Sequence, residues 1–184
     1  GTIIANDFKI DRMKVLVSNL ERCGVTNTIV TRNDAVSLCV RLSKSKFPKF
    51  DKVLLDVPCT GEGTLRSNPK LFIQWNFKVV KNLSRQQKKF AAFAVRLLKK
   101  GGTLVYSTCT HAPEENEEIV SFMLKNFPLK VETVHLPLKC RPGVKEWKGE
   151  RFTEGTEKVC RIYPQDNDSE GFFVSKFTLI EEVR

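Results

Sequence analysis

An α/β fold with a mostly parallel sheet is the fold class this sequence predicts, and three observations predict it. Short apolar runs alternate along the chain with stretches whose apolar residues recur at helical spacing, the pattern of strand–helix–strand units. The 184 residues, 41% of them hydrophobic, suffice for one globular domain with a real core. Three aspartates, Asp7, Asp34 and Asp56, fall at the C-terminal ends of successive expected strands. That edge is where open α/β sheets bind ligands.

Taken in order, Thr2–Ala5 reads as a strand and Asp11–Cys23 as a helix, with Met13, Leu16, Leu20 and Cys23 on one face and Gly24 as its stop. Thr28–Thr31 is a second strand and Lys52–Leu55 a third. A helix follows over Ser84–Lys99, with Ser84 as N-cap, an apolar stripe from Phe90 to Leu98, and Gly101-Gly102 as terminator. Thr103–Tyr106 is a fourth strand. Pro113 opens another helix reaching Asn126, whose acidic start Glu114-Glu115-Asn116-Glu117 suits the positive end of the helix dipole. Lys130–Leu136 is a fifth strand and Gly171–Leu179 the last. Between them, Pro137–Asp168 is basic, irregular and Pro/Gly-bearing, so it reads as a long functional loop or insertion.

One element is missing from the pattern. In doubly wound sheets a glycine-rich cofactor turn follows the first strand, and none occurs here. Gly61-Glu62-Gly63 follows a later strand and is too short a signal. The expectation is a domain without its usual first strand and turn.

Composition narrows the class further. No apolar run is long enough for a membrane span, and the start lacks a signal-peptide pattern, so the expected setting is soluble and intracellular. Six cysteines without a Cys-x-x-Cys pair, and two distant histidines, argue against zinc or another metal. In such a setting the thiols are expected to be reduced, most of them as small core residues. The net charge of +10, from 31 Lys and Arg against 21 Asp and Glu, favours a polyanionic partner, although a solvated basic surface explains it equally well.

Two cysteines stand apart from the rest. Cys59, in Asp56-Val57-Pro58-Cys59-Thr60-Gly61-Glu62-Gly63, and Cys109, in Ser107-Thr108-Cys109-Thr110, each lie just past a strand on the expected ligand edge. A thiolate is useful where the target carbon is weakly reactive. Carbon 5 of cytosine is such a target, because attack of a thiolate on carbon 6 makes carbon 5 nucleophilic toward a methylsulfonium. Asp56 is placed to neutralise charge at ring N3 if it is protonated or shares a proton with the base. A phosphatase loop is the rival chemistry, but six residues separate Cys59 from Arg66 where that loop has five.

Over nearly its whole length the chain resembles the Nop/Sun (NSUN-type) family of S-adenosylmethionine-dependent RNA 5-cytosine methyltransferases. The matching stretches are Ala5-Asn6-Asp7, Asn33-Asp34-Ala35, Leu55 to Gly63, Leu104 to Thr110, Glu114 to Glu117, and Glu170-Gly171-Phe172-Phe173-Val174. Thr64 to Asn68 and Pro142 to Lys148 are most similar to the eukaryotic tRNA-modifying branch. The resemblance implies a Rossmann-like methyltransferase fold spanning 1–184, N-terminally incomplete, with the insertion at about 137–168. It implies Cys109 as the nucleophile, Cys59 as the thiol that helps expel product, Asp7 at the cofactor ribose, Asp34 near its adenine, and Asp56 lining both cofactor and base. The implied partner is RNA, with tRNA ahead of rRNA, and the implied location is the nucleus or nucleolus if the organism is eukaryotic. Gln165 stands where some relatives have histidine, and nothing follows from it.

The basic residues then acquire a use. One cluster runs from Arg66 through Lys70, Lys78, Lys81, Arg85 and Lys88 to Lys89. A second, in the insertion, comprises Lys139, Arg141, Lys145, Lys148, Arg151 and Lys158, beside Trp147 and Phe152. Phosphate contacts with aromatic stacking suit a splayed-out RNA base, while Trp75 and Trp147 serve equally well as packing residues. The alternative from another class is a non-catalytic RNA-binding or assembly protein that keeps this fold.

Overall fold

The first strand, β1 (Ile3–Asn6), runs parallel to β2 (Thr28–Thr31), pairing Ile3 with Thr28 and Asn6 with Thr31. With helices α1 (Ile10–Arg22) and α2 (Ala35–Lys44) they form one unit, residues 1–47, of a computed structural model that describes residues 1–183. Gly24, at φ 65°, takes the left-handed conformation that lets the chain leave α1. The α2 helix is not anticipated by the sequence reading, and Asp34 explains it. Its Oδ1 accepts from the backbone N–H of Ser37 at 2.9 Å, a side-chain N-cap. Asn6 ties the two strand ends together, accepting from Thr31 Oγ1 at 2.9 Å and from the N–H of Asn33 at 3.0 Å.

The second unit, from residue 48 onward, is built on β3 (Phe50–Asp56), β4 (Leu98–Thr108), β5 (Leu129–Glu132), β8 (Cys160–Ile162) and β9 (Phe172–Leu179). β3 pairs parallel with β4, and β9 lies antiparallel to β4. The far edge of β9 carries β5 and β8 end to end, both antiparallel to it. β9 is therefore the one reversed strand, and the other four share a direction, as the mostly parallel expectation requires.

Helices α3 (Lys70–Gln74), α4 (Phe77–Arg96) and α5 (Glu117–Asn126) complete the layers. Ala91, Ala94 and Val95 of α4 and Ile119, Val120 and Met123 of α5 pack with Leu104, Tyr106, Phe173 and Phe177 of the sheet. Alternate residues of β9 (Phe173, Ser175, Phe177, Leu179) face inward, the period-two signature that made this strand legible.

Three expectations need correction. The long helix starts at Phe77, capped by Asn76 accepting from Val79 N at 3.0 Å, whereas Ser84, the expected cap, is a buried residue within it. The apolar stripe runs back past Ser84 through Val80, so the hydrophobic face and not the serine sets the boundary. The stretch 137–168 is also more ordered than a loop. It holds the short hairpin β6 (Glu146–Trp147) and β7 (Glu150–Arg151), the sheet strand β8, and the one-turn helix α6 (Pro164–Asn167).

Finally, the six thiols are not all free: Cys140 and Cys160 form a disulfide with Cα atoms 5.1 Å apart. A backbone bridge accompanies it. Arg141 and Arg161, each next to one of the cysteines, exchange N–H···O bonds of 2.9 and 2.8 Å, which ties the two segments together beside the disulfide.

Candidate active site

β3 and β4 are adjacent and parallel, so their C-terminal ends share one edge. Cys59 follows β3 and Cys109 follows β4, and their Sγ atoms stand 3.0 Å apart. The backbone N–H of Cys109 also donates to Cys59 Sγ, at 3.3 Å. The two thiols share a proton unequally. The hydrogen bond from Cys59 pulls the Cys109 thiol below its ordinary value, against the opposing effects of burial and of the Asp56 and Glu115 charges. The same bond, together with deeper burial, pushes Cys59 far above the usual thiol range. The asymmetry favours the thiolate form at Cys109 over Cys59.

This asymmetry makes a direct prediction. Alkylation of Cys109 by iodoacetamide should rise with pH through a midpoint below that of an ordinary thiol, because a lowered pKa populates the thiolate earlier. In Cys59→Ala the donor is gone while burial and the two carboxylates remain, so the midpoint should move to higher pH. A mass-spectrometric rate profile reads both values, and an unchanged midpoint would show that Cys59 does not set the thiolate.

The thiols are held by a network that the sequence reading did not find. Glu115 is fully buried. Its carboxylate accepts from Thr60 Oγ1 at 2.5 Å, Thr60 N at 3.2 Å and Gln87 Nε2 at 2.8 Å. Gln87 Nε2 also donates to the carbonyl of Pro58 at 2.9 Å, so the residues on both sides of Cys59 are fixed. Thr60 Oγ1 is 2.8 Å from Thr110 Oγ1, which joins the Cys59 loop to the residue after Cys109. Asn116 fixes the other side of that strand end, accepting from Thr108 Oγ1 at 2.7 Å and donating to Thr110 O at 2.9 Å. Burial pushes the Glu115 carboxyl above its ordinary value, opposed by the hydrogen bonds from Thr60 and Gln87. The signal available in sequence was Gln87, a polar residue at i, i+4 and i+7 spacing with Val80, Ser84, Ala91 and Ala94 on the buried stripe of α4.

A backbone crossing completes the frame. The N–H of Gly63 donates to Cys109 O at 2.8 Å, and the N–H of Gly171 donates to Gly63 O at 2.8 Å. A side chain on Gly63 would run into the Gly171 carbonyl, and one on Gly171 into the His111 ring. Both positions require glycine for close approach. The matched stretches around Gly63 and Gly171 thus meet at the thiols, although more than a hundred residues separate them.

Behind the crossing, Arg161 and Glu117 form a buried bidentate pair, with both N···O distances 2.5 Å. Glu117 further accepts from Val144 N at 3.0 Å, and Arg161 donates to the carbonyl of His111 at 3.1 Å. His111 stacks on Tyr163 at 4.9 Å, and burial with the nearby Arg161 charge lowers its pKa, keeping it neutral near pH 7. The acidic run 114–117 is therefore mostly internal ligature for the site, where the sequence suggested only a dipole-matched helix start.

Asp56, at the end of β3, is exposed, and its charge acts on Cys109. Asp7 and Asp34 belong to the other unit. Asp7 Oδ1 accepts from Lys9 N at 2.8 Å, and Arg12 Nη1 lies 3.9 Å from its Oδ2. Asp34 borders a hollow of about 520 Å³ lined also by Phe8, Arg32, Asn33, Ser37 and Arg41.

Of the basic residues singled out from sequence, several are already paired. Arg66 meets Asp168, Lys88 meets Glu118, Lys139 and Arg141 meet Asp166, and Lys148 meets Glu114. Trp147 donates to Glu114 at 2.9 Å, so its indole is held against the protein. No ion pair is seen among the described residues for Lys70, Lys78, Lys81, Arg85 or Lys89, which are exposed along α3 and α4.

Comparison with known proteins agrees with this geometry. Residues 1–178 match the family model described as 16S rRNA methyltransferase RsmB/F. The chain is 45% identical over 176 residues to a tRNA (cytosine(49)-C(5))-methyltransferase of Pyrococcus abyssi, covering 96% of this chain and 55% of that protein. It is 36% identical over 183 residues to the ribosomal RNA small subunit methyltransferase F of Vibrio cholerae, covering all of this chain and 36% of that one. Among solved structures, NSun6 from Pyrococcus horikoshii with SFG superposes with a TM-score of 0.82 at 35% identity, covering 99% of this chain and 42% of that one. The chain thus spans about half, or less, of the length of these relatives. With the motifs around both thiols, both glycines and the buried acids inside the matched span, this chain belongs to the RsmB/F family of RNA methyltransferases.

Proposed function

We propose that this chain is the catalytic part of an RNA cytosine-5 methyltransferase that uses S-adenosylmethionine and acts on tRNA. The observation that carries this reading is the thiol pair, Cys59 and Cys109 Sγ 3.0 Å apart at the shared end of β3 and β4. A reaction that adds a thiolate to carbon 6 and later expels it needs one sulfur as nucleophile and a second proton-bearing group beside it.

The residues act as follows. Cys109 Sγ adds to cytosine C6, and the electrons of the 5,6 double bond become available at C5. A proton shared between the Asp56 carboxyl and ring N3 neutralises the negative charge that develops on the base as the thiolate adds. S-adenosylmethionine, when bound, would supply the methyl group that C5 takes. After loss of the C5 proton to a base, the C6–S bond breaks, the double bond returns, and the Cys59 thiol assists departure of Cys109.

For the cofactor, the donor chemistry fits. Asp7 and Asp34 each follow a parallel strand at its C-terminal end, the usual position of carboxylates that hold ribose hydroxyls. Asp7 Oδ2 lies 3.9 Å from Arg12 Nη1, while Asp34 Oδ1 is shared with the Ser37 N–H and hydroxyl. The hollow beside Asp34, with the Phe8 ring and two arginines, suits the adenine portion.

The test is trapping. With S-adenosylmethionine and tRNA containing 5-fluorocytosine, the chain should form a covalent adduct visible on a denaturing gel, since fluorine blocks the final proton removal. Complete absence of adduct would remove the methyltransferase reading in favour of a non-catalytic RNA-binding role. On ordinary tRNA, Cys59→Ala should accumulate adduct that the parent sequence releases. Release at the parent rate would take Cys59 out of the expulsion step.

A further inference from the structure

We infer that the hollow between α3 and the Cys59 loop is a stacking site for a nucleobase next to the target cytosine in the RNA strand. The inference rests on the function proposed above and adds to it a surface that sets how the substrate is held.

The hollow measures about 310 Å³, and Thr60, Glu62, Leu71, Phe72, Trp75 and His111 line it. Thr60 is the neighbour of Cys59, and His111 lies two residues past Cys109, so the inner wall of the hollow begins where the thiol pair ends. Neither cysteine lines it. A base whose C6 reaches Cys109 Sγ therefore lies outside the hollow, and the base that enters it is an adjoining one.

The outer wall has the features of a stacking platform. Phe72 is 79% exposed, and Trp75 is 48% exposed, so both present ring surface that the fold itself does not use. Such exposure of aromatic rings beside a reactive pair is costly to solubility and marks a binding surface. Trp75 is nonetheless aimed: its Nε1–H donates to Glu62 Oε1 at 2.5 Å, while Glu62 Oε2 accepts from the His111 N–H at 3.2 Å. The single carboxylate of the hollow is thus already occupied as a brace for the ring. What remains for a ligand is an apolar slot for a flat π-face. Lys70, Lys78 and Lys81, exposed on the same segment, supply positive charge for the backbone phosphates of the strand.

Stacking reads shape and not sequence, so the site should tolerate any of the four bases while requiring that one be present. The experiment measures Kd by fluorescence anisotropy for a fluorescein-labelled single-stranded RNA carrying one cytosine. Two further RNAs carry an abasic residue immediately 5′ or immediately 3′ of that cytosine. Phe72→Ala should raise Kd for the intact RNA about 5- to 150-fold. For one of the two abasic RNAs the same substitution should have no effect, because the stacked base is already gone. Ile73→Ala, at a position 85% exposed but outside the hollow, should leave Kd unchanged.

A Phe72→Ala loss of equal size on all three RNAs would overturn the inference, as would no loss at all, or an equal loss in Ile73→Ala. If the parent chain still traps 5-fluorocytosine tRNA in those cases, the methyltransferase reading stands and only the stacking site falls. A chain without substitutions that neither binds nor traps RNA would remove both.

Discussion

Cys109→Ala should lower methyl transfer to cytosine by at least about 10⁴-fold, with no measurable covalent adduct on 5-fluorocytosine RNA. The size follows from the chemistry. Without addition at C6, carbon 5 has no electron pair to offer, and none of the neighbouring groups can replace a thiolate. Cys59, 3.0 Å away, loses its Cys109 partner in this variant but keeps the burial that raises its thiol, which opposes its acting as a substitute nucleophile. The double variant Cys59→Ala/Cys109→Ala should be no slower than Cys109→Ala alone, because the two sulfurs act as a unit and such effects do not add. Initial rates with tritiated S-adenosylmethionine, at saturating RNA, measure this. A Cys109→Ala enzyme within tenfold of the parent rate would move the nucleophile to another residue.

The largest expected effect on stability comes from the pair behind the site. Glu117→Leu should cost about 3–5 kcal/mol in urea unfolding, because it leaves the Arg161 guanidinium, 4% exposed, without its counter-charge. For a chain of this size that is about 6–20 °C in Tm. The double substitution Glu117→Leu/Arg161→Met should recover most of the loss, since it removes both buried charges and leaves apolar groups of similar reach. Failure of the double variant to recover would show that the hydrogen bonds to Val144 N and His111 O, and not the charge pair, carry the stability. The same variants should also slow the reaction, because Arg161 holds the His111 carbonyl two residues from Cys109.

What could be read in the sequence divides along physical lines. β1, β2, α1 and β9 were legible because each has a clean local period and a turn signal at its end. The thiol pair was legible because both cysteines follow strands of one parallel pair, and parallel neighbours bring such residues to a common edge. α2 and α3 were missed. α2 is a ten-residue helix opened by the Asp34 cap, and α3 is a five-residue turn.

The buried acids of 114–117 were misjudged for a different reason. Charge pattern alone cannot distinguish a solvated helix start from carboxylates turned inward to partners at Thr60, Gln87 and Arg161, which are distant in sequence. The disulfide was missed because its partners, twenty residues apart, meet only through the folding of the stretch between them, not by any spacing of the cysteines.

The crossing of Gly63 and Gly171 also has a consequence for the order of events as the chain is made. During synthesis the N-terminal part leaves the ribosome first, at about 5–20 residues per second. The loops of Cys59 and Cys109 thus emerge several seconds before Gly171, which supplies the second bond to Gly63, and β9, the antiparallel neighbour of β4. The segment that braces both loops is laid in last, so the frame around the two sulfurs is completed only when nearly the whole unit is present.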